Sequence, residues 1–198
     1  MADAPPAPPL LLASRSPQRQ AILHQLHIPF DVVEPRYEER WPEQADAVEV
    51  VCAHARGKAE SVAELADGRP VLGVDTAVVL DGRVFGKPRD ASEAEGMLER
   101  LSGTTHLVVS GLCLITPGWE ELEHESTRVT FRELDPRELG VYVGTGEWEE
   151  RAGGYAIQGR GAGLVRRIAG DYFNVVGLPV ALLIRLLAER FAGVYGFG

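Results

Sequence analysis

Several features are scarce or missing in this sequence of 198 residues. No stretch approaches the roughly 18 consecutive apolar residues that a membrane-spanning helix needs. The first nine residues, MADAPPAPP, lack the basic and apolar regions of a signal peptide, and their composition predicts a disordered tail over residues 1–9. There are two cysteines, Cys52 and Cys113, and both lie in apolar patterns typical of core thiols in a reducing compartment. These absences favour a cytoplasmic protein.

Basic residues are fewer than acidic ones, 20 against 29, and the formal net charge is −9 at pH 7. A general nucleic-acid-binding protein usually carries a basic face, so the charge argues against that class of partner. A few converging cations can still form a local positive pocket, and a small phosphorylated ligand therefore remains compatible with the composition.

Three familiar catalytic or metal-binding signatures are also missing. The sequence has no GxxxxGK[ST] motif and no GxSxG motif, which argues against P-loop and α/β-hydrolase enzymes. The histidines are scattered, without a pair at zinc-binding spacing. They are His24, His27, His54, His106 and His124.

Helical and strand patterns alternate along the rest of the chain. Apolar residues recur every three to four positions over 43–66 and predict a helix. The segment PVLGVDTAVVLDGRVFGKP predicts two strands joined by a turn at Asp81 and Gly82. No repeat or long linker interrupts the alternation, which predicts a single α/β domain with a mixed sheet over residues 10–198.

The segment LLLASRSPQRQAIL, residues 10–23, passes from a buried strand into a helix. Ser16 or Ser14 can cap this helix, with Pro17 at its first position. The amide groups of a helix start also bind anions, and Arg15 and Arg19 lie beside them in the sequence. Capping and anion binding are both consistent with this turn.

Polar residues elsewhere in the sequence also favour the binding of an anion. Asp75 interrupts a nearly continuous apolar strand, and a carboxylate there is costly to bury unless it is paired, metal-bound or protonated. Lys58 and Lys87, like the acidic pair Glu38 and Glu39, are individually best explained as solvated residues. Together they are the residue types that hold phosphate and a divalent metal ion.

A glycine-rich segment, AGGYAIQGRGAG at 152–163, contains five glycines. A flexible surface loop is the commoner explanation of such a run. The embedded Tyr155, Ile157 and Gln158 instead suit a loop whose backbone approaches a ligand closely.

Six blocks of the sequence resemble, in chain order, the signature blocks of the Maf family of nucleoside triphosphate pyrophosphatases. They are LLLASRSPQR, ARGKA, VLGVDTAVVLDGRVFGKP, LSGTTH, AGGYAIQG and NVVGLP, within about residues 10–187. The resemblance implies an elongated mixed α/β sheet with flanking helices, similar to ITPase-type enzymes, with two lobes around a central cleft. It also implies cleavage of the α–β phosphoanhydride of a nucleotide to a monophosphate and diphosphate, a house-cleaning reaction on unwanted nucleotides.

The resemblance further implies roles for individual residues. Asp75 matches the catalytic aspartate, which accepts a proton from water and helps to hold Mg²⁺ or Mn²⁺. Glu39 matches a second acidic metal contact, with Glu38 as its rival. Ser14 and Arg19 match the family's phosphate-binding residues, and Lys58 and Lys87 match two catalytic lysines that lie near the phosphates.

Three positions of the family set base choice. Thr76 and Gln158 agree with the branch that prefers dTTP and UTP, and the SPWRR and SDQV blocks of the 7-methyl-GTP branch are missing. The third position holds Gln18 where the dTTP/UTP branch has arginine, which removes a charge and leaves an amide that can donate and accept hydrogen bonds.

Two other functions remain open from the sequence. One is a purine-directed pyrophosphatase for ITP or XTP, and the other is a nucleotide-binding regulator of cell division with little turnover. Asp75 and the two lysines argue against the regulator, because binding alone does not require a water-activating carboxylate. The resemblance also implies a homodimer with a nucleoside triphosphate as substrate. The net charge and the lack of a long apolar run predict that neither nucleic acid nor a membrane is a partner.

Overall fold

A seven-stranded mixed sheet forms the centre of the protein in a computed structural model that describes residues 7–42 and 45–198. Its strands are β1 (Leu10–Ala13), β2 (Phe30–Val33), β3 (Val71–Leu80), β4 (Arg83–Phe85), β5 (Thr105–Thr116), β6 (Trp119–Phe131) and β7 (Val165–Ala169). The order is β2-β1-β3-β5-β6-β7, with β4 paired to β3. Strand β1 runs parallel to both of its neighbours, and the remaining pairs are antiparallel. The predicted mixed α/β fold is confirmed.

Six helices flank the sheet in the described part of the chain. They are α1 (Pro17–Gln25), α2 (Ala47–Glu60), α3 (Ala91–Leu101), α4 (Pro136–Val143), α5 (Tyr172–Val176) and α6 (Val180–Phe191). Local signals set their starts: Ser16 caps α1 through a bond from the Arg19 amide, and Asp135 forms a capping box with Glu138 at α4. The predicted turn of the β3–β4 hairpin is also confirmed, because Asp81 and Gly82 both have positive φ angles.

The predicted helix over 43–66 is too long at both ends. Helix α2 begins only after Asp46, whose carboxylate accepts bonds from the amides of Val48 and Glu49. It ends at Glu60, and a separate 3₁₀ turn, Ala63–Leu65, follows it. Apolar spacing continues past the helix because Val62 and Ala66 pack into the same core as α2. Positions 43 and 44 of the prediction, and positions 1–6 of the predicted tail, lie outside the described residues.

Helix α2 lies against one face of the sheet at unusually short range. A Cβ atom on Gly73 of β3 would lie 2.1 Å from the carbonyl oxygen of Ala55, and one on Gly111 of β5 would lie 2.4 Å from that of Val51. Only glycine leaves room for helix backbone at both points. The two glycines therefore fix how closely the side chains of α2 approach β3.

The other face of the sheet carries two separate apolar clusters. Leu72 and Leu112 belong to the cluster beneath α1 and α6, whereas Val78 and Val108 belong to the cluster that includes α3 and α4. Between them on β3 and β5 lie polar residues, which are described below. We call the part around the first cluster the first lobe and the part around the second cluster the second lobe. Two lobes on shared strands, with polar residues at their junction, agree with the predicted layout of the fold.

The glycine-rich segment is a packed part of the second lobe. It contains two 3₁₀ turns, Ala152–Gly154 and Gly159–Leu164. Tyr155 and Ile157 are buried in the apolar cluster of that lobe, whereas Gln158 is exposed. The structure therefore does not support a flexible surface loop for the buried part of this segment.

Among the described residues, no helix has the length and apolar character needed to cross a bilayer.

Candidate active site

The sheet is interrupted along one edge of β3. Strand β1 pairs with this edge only as far as Leu72, and β4 pairs with it only from Val78. The opposite edge of β3 is paired with β5 throughout. In the described parts of the chain, no strand covers Gly73 to Ala77 on the interrupted edge. We call this gap the notch; it holds Asp75 and Thr76 and lies at the carboxyl end of β1, a common position for ligand sites in open α/β sheets.

Asp75 lies in the notch with its side chain towards α2. Its Oδ1 atom is 2.6 Å from the Lys58 ammonium, and its Oδ2 atom is 3.0 Å from Nδ1 of His54. All three side chains are buried. His54 and Lys58 are four residues apart on α2, so both lie on the helix face that meets β3.

The pKa of Asp75 reflects opposing effects. Burial raises it, but the hydrogen bond from His54 and the charge of Lys58 outweigh burial and hold the pKa below its ordinary value. For His54 the effects have the opposite signs. Burial lowers its pKa, but the hydrogen bond and charge of Asp75 outweigh burial and hold the pKa above its ordinary value. Asp75 is therefore a buried carboxylate that stays ionised at neutral pH.

Glu39 joins this cluster from the segment between β2 and α2. Its carboxylate lies 2.6 Å from the Lys58 ammonium, whereas the neighbouring Glu38 pairs with Arg40 at the surface. Of the two acidic residues left open by the sequence, Glu39 is the one beside Asp75. One ligand atom from each of Glu39, His54 and Asp75 lies within 4.8 Å of the other two, a spacing that a single metal ion could bridge.

Arg19 forms a second network beside Asp75. Its guanidinium group is buried and donates to Ser14 Oγ at 3.0 Å, to Thr76 Oγ1 at 3.3 Å and to the carbonyl oxygen of Gly177 at 2.8 Å. Thr76 in turn lies 2.9 Å from the hydroxyl of Ser110 on β5. Burial lowers the pKa of Arg19, and the nearby charge of Asp75 opposes that effect.

The partners of Arg19 are hydroxyl and carbonyl oxygens. Among the described residues it has no hydrogen bond or ion pair to a carboxylate, although it is buried. A buried guanidinium with neutral partners has charge left to interact with an anionic ligand, and its planar donors match phosphate oxygens.

Three of the predicted residues lie outside both networks. Lys87 is exposed and pairs with Glu150 at 2.7 Å. Gln18 is half-buried and accepts a hydrogen bond from the Ser16 hydroxyl, and Gln158 is exposed. The structure therefore brings together Ser14, Arg19 and Thr76 in one network and Glu39, Lys58 and Asp75 in the other.

Sequence reasoning missed His54, because it looked for histidines paired with each other. The signal was its spacing of four residues from Lys58, which puts both side chains on one helix face. Another signal was the rarity of lysine: Lys58 and Lys87 are the only two in the chain, and arginine supplies all its other basic side chains except histidine. The sequence around Ser110 and Gly177 gave no indication of a role in the site. Each joins the site through a hydrogen bond with a residue that is distant in the chain.

Carboxylates and cations converge at this gap in the sheet, and such groups can hold a metal ion and phosphate oxygens. The chain belongs to the Maf-like protein family, whose pattern it matches over residues 9–190. The family resemblance that the sequence blocks suggested is thereby confirmed.

Curated relatives cover nearly the whole chain. Proteins named dTTP/UTP pyrophosphatase from Bacillus cytotoxicus and Symbiobacterium thermophilum are 44% and 46% identical to it, over 92% and 91% of this chain and 96% and 93% of theirs. The protein of that name from Nitratidesulfovibrio vulgaris is 47% identical over 93% of this chain and 89% of its own. Among solved structures, the Staphylococcus aureus Ham1 protein matches with a TM-score of 0.45 and 12% identity over 63% of this chain and 72% of that one, which is too distant to carry over any residue.

Proposed function

We propose that this protein is a nucleoside triphosphate pyrophosphatase that hydrolyses dTTP and UTP at the α–β phosphoanhydride. The observation that carries the proposal is the buried carboxylate of Asp75 in the notch, which meets the Lys58 ammonium at 2.6 Å and lies near the charge of Arg19. The names of the relatives support both the reaction and the pyrimidine preference. A purine-directed enzyme and a regulator with little turnover have no comparable support.

Asp75 is the proposed proton acceptor. Water attacks a phosphorus atom of the anhydride, its proton passes to the Asp75 carboxylate, and the bond to the bridging oxygen breaks to release diphosphate. A carboxylate that stays ionised at neutral pH is in the correct state to orient the water and take its proton.

Cations of the site neutralise the charge that develops on the phosphate oxygens. Arg19 and Ser14 lie together at the start of α1, where the helix amides also favour an anion. Lys58 contacts Asp75 from helix α2. The proposed role of Lys87 is to exchange its exposed partner Glu150 for a phosphate oxygen when substrate binds.

A divalent metal ion, Mg²⁺ or Mn²⁺, is the proposed cofactor. Carboxylate oxygens are the ligands these ions prefer, so Asp75 and Glu39 fit the group. A metal ion bound there would supply Lewis-acid polarisation of a phosphoryl oxygen.

Thr76, Gln18 and Gln158 are the proposed base-selecting residues. Thr76 is fixed by Arg19 and Ser110, which sets the position of its hydroxyl. Gln18 and Gln158 present amides that can pair with the O4 and N3–H edge of uracil and thymine. A cytoplasmic location and a homodimer remain predictions.

The products of UTP hydrolysis test the reaction. We expect UMP and diphosphate to form in equal amounts, because the proposed bond cleavage lies between the α- and β-phosphates. Ion-exchange analysis of an early time point, with Mg²⁺ present, measures both. UDP and orthophosphate as first products would contradict the proposed reaction.

Gln18→Arg is expected to sharpen base selectivity. The present amide can rotate to accept from the amino group of cytosine, so we expect measurable activity on CTP beside dTTP and UTP, with purine triphosphates poorer. A guanidinium offers donors only, and one charge-assisted hydrogen bond is enough to raise the UTP-to-CTP ratio of kcat/KM about tenfold.

The matched control for this charge is Gln20→Arg, two residues along the same helix. Gln20 donates to the carbonyl oxygen of Arg15 and has no predicted role in base choice. If both variants keep the wild-type ratio, Gln18 does not face the base. If both change it equally, the effect is one of net charge.

A further inference from the structure

His54 occupies a central position that neither the reaction nor the family resemblance assigns. Only 2% of its surface is exposed. Its Nδ1 atom meets Asp75, and its Nε2 atom lies 3.2 Å from the amide nitrogen and 3.0 Å from the carbonyl oxygen of Arg40. The ring therefore connects the carboxylate on β3 with the backbone of the segment that precedes α2.

The contacts of His54 do not depend on one charge state. Nδ1 lies 3.0 Å from a carboxylate oxygen of Asp75, which accepts hydrogen bonds, so we assign the ring proton to Nδ1. In the neutral ring Nε2 accepts from the Arg40 amide, and in the protonated ring it donates to the Arg40 carbonyl. The backbone of Arg40 therefore provides a hydrogen-bond partner for both the neutral and the protonated imidazole.

The segment held by His54 is the one that carries Glu39. Residues 34–42 contain no helix or strand, so contacts with the rest of the protein must position them. Tyr37 and Trp41 pack edge-on against the imidazole, with ring centroids 5.7 and 5.0 Å away. Fixing the backbone of Arg40 also fixes the adjacent Glu39, whose carboxylate meets Lys58.

We propose that His54 is a positioning residue that ties the Asp75 carboxylate to the segment carrying Glu39, so that both carboxylates meet Lys58 in one arrangement. The inference rests on the hydrolase function proposed above and deepens it. His54 itself contacts neither phosphate nor base in this scheme. Its two ring nitrogens have separable tasks, one towards Asp75 and one towards Arg40.

Three substitutions separate these tasks. The amide nitrogen of asparagine is as many bonds from the main chain as Nδ1, so His54→Asn keeps the donor to Asp75. The amide of glutamine corresponds in the same way to Nε2, so His54→Gln keeps the bond to Arg40. His54→Leu removes both while leaving an apolar group of similar size.

The kinetic readout is kcat and KM for UTP with Mg²⁺. We expect His54→Leu to lower kcat roughly 10–100-fold, as loss of groups that orient catalytic ligands commonly does, with little change in KM. We expect His54→Asn to recover most of kcat and His54→Gln to recover less. Equal losses in all three variants would overturn the role towards Asp75.

The second readout is tryptic cleavage after Arg40, an exposed residue, followed by mass spectrometry of the metal-free protein. We expect faster cleavage in His54→Leu and in His54→Asn, which both lose the bond to Arg40, and a near wild-type rate in His54→Gln. An unchanged rate in His54→Leu would overturn the anchoring of the segment. Should His54→Leu fail to fold, the opposite orders expected for the asparagine and glutamine variants in the two readouts still decide the proposal.

His106→Leu is the matched control. His106 is 1% exposed, bonds to the hydroxyl of Tyr155 and packs against Phe131 in the second lobe. It lies five residues along β5 from Gly111, the residue paired with Asp75. Its loss should lower thermal stability and leave kcat and cleavage at Arg40 unchanged. If the wild type hydrolyses no nucleoside triphosphate, the proposed function fails, while the cleavage assay still tests the anchoring role of His54.

Discussion

Asp75→Asn is expected to lower kcat on UTP by about 10²–10⁴-fold while the protein stays folded. The amide keeps the shape of the carboxylate, and its oxygen can still accept from Lys58 or His54, which hold the wild-type side chain. It cannot take a proton from water, and it removes a charge from the proposed metal site. Steady-state rates on UTP, with circular dichroism to verify the fold, measure the effect.

Asp81→Asn is the control for this change. Asp81 lies on the β3–β4 turn, downstream of the same strand, in a backbone conformation that asparagine also adopts. It should retain wild-type kcat. More than a tenth of wild-type kcat in Asp75→Asn would show that Asp75 is not the proton acceptor.

Lys58→Met is expected to lower kcat/KM by roughly 10²–10³-fold, the usual cost of losing one group that stabilises transition-state charge. It should also lower the melting temperature, because Asp75 and Glu39 would face each other without the cation between them. Methionine preserves the length of the side chain and its helical preference, so helix α2 itself is little affected. Thermal melts and UTP kinetics are the measurements.

Lys87→Met provides the comparison. Lys87 and its partner Glu150 are exposed, and exposed pairs contribute little to stability. We therefore expect Lys87→Met to weaken UTP hydrolysis without lowering the melting temperature. If the two variants have the same melting temperature, the buried cluster around Lys58 does not stabilise the fold.

The sequence predicted those features whose signals are local. The turn at Asp81 and Gly82 is set by two adjacent residues, and the sequence predicted it. The helix over 43–66 was overextended because apolar periodicity reports burial, and burial continues to Ala66 after the helical hydrogen bonds have ended. Apolar periodicity alone cannot distinguish a buried helical residue from a buried residue that follows the helix.

The site was predicted only as far as residue types and motifs reach. Asp75 was identified because a carboxylate in an apolar strand needs a partner. That its partners would include His54 could not be read from separation in the chain, because the contact depends on how closely α2 approaches β3. The notch itself depends on where β1 ends and β4 begins along one strand, which is a property of the assembled sheet.

The alternation of side chains along β3 restricts where the chain can change length. Asp75 points towards α2 and Thr76 towards Arg19 on the other face. One residue inserted or deleted just before Asp75 would exchange these faces and displace Gly73 from its place under α2. The Pro117–Gly118 turn between β5 and β6 carries no such constraint, because neither residue belongs to a strand or to the site. We therefore expect insertions to be tolerated at that turn, whereas a change in the length of β3 would disrupt the site.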